Sequence, residues 1–373
     1  MATILDYLHW RGDLRFSQDP PNEVDALIFS ALAYIQYGGR VEAEPGVPVK
    51  LQDAAADFYA LEDIQDRIRV KNDLELLELA AQSRRFGDCH LCMYRDLYIP
   101  EQETQFAAVT FLLDDDSMFL AFRGTDYTLT GWKEDFNMTF QQTVPAQRLA
   151  LQYTRDVAME YSCPMRLGGH SKGGNLAVFA AARCGPVIQP RILEVYNQDG
   201  PGFTEYLMGD PGYLAMVPRI QTLIPQSSVI GMLLEHEEEY RIVKSKTVSL
   251  LQHDPYSWEV MGKGFLAMEE LTPDSKFLDV TIKNWFAEMT NQQRNQLVDV
   301  MFGLLGAGGA DTVQEIISPK NIRASLKTLS SDVSLRRLLS SEFSNLLEAA
   351  RKTRASLERS AEMDKLPDGE AQA

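Results

Sequence analysis

The stretch Leu167-Gly168-Gly169-His170-Ser171-Lys172-Gly173-Gly174-Asn175-Leu176-Ala177 sets a serine inside Gly-x-Ser-x-Gly, between a short apolar run and a helical pattern. A serine at the apex of a sharp strand-to-helix turn needs very small residues two places before and two places after it, because neighbouring Cβ atoms would otherwise collide. Gly169 and Gly173 meet that demand. The turn exposes the Ser171 hydroxyl and leaves the amide of Lys172 at a helix N-terminus, where partial positive charge favours a developing oxyanion. The residues that follow, Asn175 to Arg183, are dominated by good helix formers with an apolar face. Met165 to Leu167 gives a short strand signal before the turn.

With 373 residues, 45% of them hydrophobic, the chain has material for one large domain and an accessory segment. A formal charge of −17 argues against a nucleic-acid backbone partner, since no basic block offers the cations that phosphate neutralisation needs. The first residues, Met1 to Asp6, lack a basic region followed by a long apolar one, so no signal peptide is expected. No apolar run reaches membrane-spanning length, and a cytoplasmic location without integral membrane association is the expectation. Four cysteines fit a reducing compartment. Cys89 and Cys92 form a C-x-x-C, but Cys163 and Cys184 do not supply the second pair that a structural zinc site wants, so no metal site is expected.

Helical patterning is expected from Ala26 to Tyr37, started by Pro21 and Asn22, and again from Leu61 to Arg85, with a loop-like region at 41–60 between them. Gln105 to Leu113 and Met118 to Phe122, joined by an acidic turn, read as a buried hairpin that ends at Arg123-Gly124-Thr125. A helix is expected over 147–160. Further strands are expected at Ile192 to Tyr196, Ile220 to Ile224, Tyr240 to Val243 and Thr247 to Leu251. Strands alternating with helices after the elbow imply a mainly parallel sheet. From Thr272 the character changes to helices around 277–289, 292–305 and 322–347. The domain reading is therefore 1–271 with a core at about 105–260, a helical extension over 272–360, and a polar, disordered tail over 361–373.

Ser171 needs a base, itself oriented by a carboxylate. In folds built on such an elbow the order is serine, acid, histidine, the histidine lying on a loop after the last strand. His253 suits that place, just after an apolar run and before a turn. His236, in the acidic stretch Glu235 to Glu239, reads as solvated and is the second choice. Asp199 follows the strand Ile192 to Tyr196 in Asn197-Gln198-Asp199-Gly200-Pro201-Gly202, where such sheets carry their acids; Asp210 and Asp254 are the spare acids. A second oxyanion donor is expected from Thr125, by its amide and also its hydroxyl, with Arg123 bracing the loop on a carboxylate such as Asp135. The Lys172 side chain reads as pointing outward into solvent.

Ala121-Phe122-Arg123-Gly124-Thr125, then Trp132 and Asp135, then Gly169-His170-Ser171-Lys172-Gly173-Gly174 together resemble the class 3 lipase branch of the α/β-hydrolases over roughly residues 105–260. That resemblance implies an α/β-hydrolase fold with Ser171 as nucleophile and Thr125 and Lys172 as oxyanion residues. Along almost its whole length the chain also resembles a bacterial family of lipase-like hydrolases of unknown function (Mbeg-like). The shared motifs are the Asp-Tyr-Leu-x-Trp-Arg-Gly-Asp opening, Gly131-Trp132-Lys133-Glu134-Asp135-Phe136, Asn197 to Phe203 and Gln252-His253-Asp254. Class 3 lipases carry their acid after the following strand, where Ile224 to Val229 has no carboxylate. The acid then shifts to Asp199, as in pancreatic-type lipases.

The resulting expectation is an α/β protein acting as a serine esterase or lipase-like hydrolase on a small-molecule ester or thioester. It would use Ser171, His253 and Asp199 with no metal or organic cofactor. A catalytically silent binding protein on the same fold, or a peptidase or acyltransferase using the same triad, are the alternatives. The sequence leaves the oligomeric state open.

Overall fold

The computed structural model describes residues 1–363. Its strands, in chain order, are β1 (Val49–Lys50), β2 (His90–Ile99), β3 (Thr104–Leu112), β4 (Met118–Phe122), β5 (Met165–His170), β6 (Ile192–Gln198), β7 (Ile220–Pro225), β8 (Tyr240–Val243), β9 (Val260–Met261), β10 (Gly264–Phe265) and β11 (Ala267–Met268). The helices of the first 271 residues are α1 (Ile4–Arg11), α2 (Glu23–Leu32), α3 (Leu51–Tyr59), α4 (Lys71–Gln82), α5 (Leu129–Asn137), α6 (Pro145–Glu160), α7 (Lys172–Arg183), α8 (Glu205–Met208) and α9 (Pro211–Met216). Nine strands form one mixed sheet in the order β1-β2-β3-β4-β5-β6-β7-β8-β11. From β4 to β8 every pairing is parallel, while β1 to β4 and the β8–β11 edge are antiparallel.

Alternate residues of the central strands enter two different cores. In β4, Phe119 and Ala121 pack with α1 to α4, whereas Met118, Leu120 and Phe122 pack with α6 and α7. In β3, Val109 and Phe111 go to the first core, Phe106 and Ala108 to the second. Successive strand side chains point to opposite faces, so this sorting covers the sheet on both sides. All ten residues of α2 are buried, as are Leu176 to Ala182 of α7, so neither stretch keeps a solvent face.

Asn22 caps α2 by accepting the amides of Val24 and Asp25, and Asp25 returns the bond to the Asn22 amide. Asp25 also takes a bidentate pair from Arg85, Nε to Oδ1 at 2.8 Å and Nη2 to Oδ2 at 2.6 Å, both side chains being fully buried. Arg85 spends its remaining donors on the carbonyls of Leu14, Asp19 and Pro20. This closes the N-terminal helical segment over the sheet.

Several expectations need correction. The region 41–60 contains helix α3, because Leu51, Ala54, Ala55 and Phe58 present one buried face to the first core. The helix expected over 61–85 is confined to α4. Thr247 to Leu251 does not extend into a strand. Ser249 has φ 54°, and Ser249–His253 turns into a 3₁₀ helix, leaving the sheet edge to β11.

A second compact unit begins at Thr272. It consists of α10 (Pro273–Ala287), α11 (Asn291–Leu305), α12 (Val313–Ile316), α13 (Pro319–Ser331) and α14 (Val333–Met363). Leu297, Val298, Phe302 and Ala349 are buried within it, and Asn284 donates to Thr353 between α10 and α14. The single helix expected at 322–347 is two helices. The tail expected to be disordered from 361 is helical to Met363; the rest of it, 364–373, lies outside the described residues. Among the described residues, no helix is long and apolar enough to cross a membrane.

Candidate active site

Ser171 joins β5 to α7 with φ 59° and ψ −133°, a conformation that costs an L-residue about 1–3 kcal/mol. Close packing on either side enforces it. A Cβ added to Gly169 would lie 2.2 Å from the carbonyl carbon of Gly173, and one added to Gly173 would lie 2.1 Å from the Phe122 oxygen. The Ser171 amide donates to the Gln198 carbonyl at 2.9 Å, which ties the apex to the end of β6.

Asp199 follows directly on β6 and is fully buried, with φ 54°, a left-handed turn that Asp tolerates better than most residues. Its Oδ2 accepts from Nδ1 of His253 at 2.6 Å. Its Oδ1 accepts the Ser228 hydroxyl at 2.5 Å and the Gly231 amide at 3.2 Å. The His253 ring is 30% exposed, and with Nδ1 committed to the carboxylate its Nε2 is the nitrogen a general base offers to a serine hydroxyl. The spare acids are occupied otherwise. Asp210 caps α9 through the amides of Gly212 and Tyr213, and Asp254 caps the turn at Tyr256.

His170 holds His253 from behind. Burial, reinforced by His253, keeps its imidazole well below the usual range, so the ring is neutral. Its Nε2 lies 2.7 Å from the His253 carbonyl, which can only accept, so Nε2 carries the proton. The two rings stand 4.6 Å apart. Nothing in the motif distinguishes this role from side-by-side packing, since it depends on where residue 253 returns in space.

The loop after β4 brings Thr125 to the elbow. A Cβ on Gly124 would sit 3.2 Å from the Ser171 Cβ and 2.5 Å from the His170 oxygen, so only glycine lets this backbone pass so close to Ser171. Thr125 donates its hydroxyl to Oδ2 of Asp135 at 2.5 Å. That proton is therefore committed to Asp135, and the Thr125 amide is the group left for an oxyanion. Burial pushes the Asp135 carboxyl up to about 6 against the pull of Lys172 and of the Thr125 bond, and its Oδ1 is buried without a partner.

Arg123 does not brace on Asp135. It forms a bidentate pair with Asp96 of β2 at 2.7 and 2.9 Å, and approaches Asp126 at 3.8 Å. The Lys172 side chain is likewise not solvated. It folds back into the protein, donating to both oxygens of Gln105 at 2.8 and 2.6 Å and to Glu134 at 3.1 Å, with both charged side chains fully buried. Glu134 also receives the amides of Gln105 and Ala146. The Lys172 amide stays at the first turn of α7 while its ammonium anchors α5 and β3. His236 is also not solvated; its side chain is 6% exposed and pairs with Glu238. Cys89 and Cys92 are buried thiols that burial pushes up, Cys92 to about 11.

The site thus gathers a strained serine at the end of β5, the Gly124-Thr125 loop after β4 packed against it, and a buried carboxylate after β6 paired with a histidine from the turn after β8. The Mbeg1-like family model matches residues 80–303, more than half of the chain. The chain belongs to the Mbeg1-like family. All of these residues, from Thr125 to His253, lie within the Mbeg1-like match, while α1 to α3 precede it. No curated protein matches the chain.

Proposed function

We propose that this protein is a serine hydrolase with an α/β-hydrolase architecture of the class 3 lipase-like branch, cleaving a carboxylic ester or thioester through an acyl-enzyme on Ser171. Ser171 Oγ attacks the acyl carbon while its proton passes to Nε2 of His253. The tetrahedral oxyanion is held by the amides of Thr125 and Lys172. The proton then moves from His253 to the leaving alcohol or thiol as the bond to carbon breaks. Water, deprotonated by the same His253, releases the acid and restores Ser171. Asp199 keeps Nδ1 protonated and stabilises the imidazolium.

The observation that carries this reading is the 2.6 Å bond between His253 Nδ1 and Asp199 Oδ2, made one strand away from the strained Ser171. A carboxylate buried on three donors and a backbone held out of its comfortable range are both costly, and a silent scaffold gains nothing from either. The acid following β6 rather than β7 separates the chain from the class 3 arrangement. The test is labelling of the full chain by a fluorophosphonate, with Ser171→Ala as control, followed by hydrolysis of p-nitrophenyl esters of graded chain length. Labelling lost in the variant and turnover of at least one ester are the expected results; an unlabelled wild type and no turnover would refute the reading.

A further inference from the structure

A second histidine–carboxylate pair lies behind the first. His236 Nε2 is 2.8 Å from the carbonyl oxygen of Gly231, and its Nδ1 is 3.1 Å from Oε1 of Glu238. Glu238 is 4% exposed; its Oε1 also accepts the Thr222 hydroxyl of β7 at 2.5 Å and its Oε2 the Tyr213 hydroxyl of α9 at 2.6 Å. Burial alone would raise this carboxyl, but the bond and charge of His236 and the bonds from Thr222 and Tyr213 outweigh it and hold it down at about 2. The imidazole bridges Glu238 and the Gly231 carbonyl, one ring nitrogen to each. The amide of Gly231 in turn donates to Oδ1 of Asp199 and to the Ser228 hydroxyl, and that hydroxyl donates to the same Oδ1.

We propose that His236, bridging Glu238 and the Gly231 carbonyl, is a positioning residue that fixes the Ser228–Gly231 turn cradling Asp199. The inference rests on the assignment of Asp199 to the triad. Gly231 is gripped on both sides, its carbonyl by His236 and its amide by Asp199. Without the imidazole the Gly231 carbonyl loses its link to Glu238, and the cradle loosens. Other titratable groups facing His236 are Tyr213, the Tyr240 ring at 6.5 Å, and Asp199 beyond Gly231, with Glu235, Glu237 and Glu239 flanking it in the chain. None of these is a cation that would compete for Glu238.

Proton NMR of the full chain follows the His253 Nδ1 proton held by Asp199. That resonance should shift or broaden in His236→Gln and in Glu238→Gln, and a resonance unchanged in both folded variants would overturn the proposal. In steady-state kinetics on a p-nitrophenyl ester, His236→Gln should lower kcat roughly tenfold, as loss of a supporting hydrogen bond behind an active residue does. KM should stay within about twofold. A folded variant with wild-type kcat sinks the idea. Fluorophosphonate labelling of wild type separates the two hypotheses: an unlabelled wild type fails the Ser171 reading, whereas a labelled one with an unaffected variant fails only His236.

Discussion

His253 and Asp199, 54 residues apart in the chain, meet at 2.6 Å because one ends a 3₁₀ turn after β8 and the other directly follows β6. Replacing Asp199 by Asn would leave the shape of the turn and remove the charge that fixes the imidazole tautomer. Turnover of a p-nitrophenyl ester should fall about 10⁴-fold with the fold intact. Asp210→Asn and Asp254→Asn should each cost about 1 kcal/mol or less of stability as weakened caps and leave turnover near wild type. Activity lost in either of these and kept in Asp199→Asn would move the acid elsewhere.

Ser171 sits where only glycine is at ease. Ser171→Gly should therefore abolish ester hydrolysis and raise stability by about 1–3 kcal/mol through release of backbone strain. Ser171→Ala should abolish hydrolysis with little change in stability. Equal denaturation midpoints for all three proteins would argue against strain at the elbow.

Asp135 is raised from 3.8 to about 6 by burial. Its folded form binds the proton more tightly than the unfolded chain, so its ionisation removes stability as pH rises from about 4 to about 6 and leaves a constant deficit above that. Asp135→Asn keeps an acceptor for Thr125 without the charge. Its stability relative to wild type should be near zero below pH 4 and grow to about 2–3 kcal/mol at pH 7, which urea unfolding across that range measures. A difference independent of pH would rule out this account.

Lys172 serves two ends of one residue. Lys172→Met should destabilise the protein by about 3–5 kcal/mol, since Glu134 would be left as an unpaired buried anion, and adding Glu134→Gln should recover part of the loss. The folded fraction should keep a kcat within a few-fold of wild type, because the oxyanion donor is the backbone amide. A selective collapse of kcat in a fully folded Lys172→Met protein would place the ammonium in the chemistry.

What was legible in the sequence is what local sterics and chain order dictate. The flanking glycines of Ser171, the β3–β4 hairpin and the strand before Asp199 each announce themselves in local sequence. Strand β2 did not, because a bulge between Cys92 and Arg95, with Met93 at φ 52°, shifts the phase of its alternation midway. The directions of the Lys172 and His236 side chains, expected in solvent, are not legible for a different reason. A charge at the surface and a charge folded onto a partner 38 residues away have the same sequence signature. The roles of His170 and Gly231 likewise exist only once distant loops meet.

The match to the family begins at residue 80 and ends inside α11, yet Phe29, on α2, stacks on Phe119 of β4 with ring centroids 4.8 Å apart, and Asp25 on the same helix holds Arg85. A fragment cut at the edges of the recognised region would lose one half of that ion pair and bare an entire face of the sheet. The unit of recognition and the unit of folding are therefore different lengths of this chain, and any minimal version should be drawn from Met1, with the helices treated as the lid of the core.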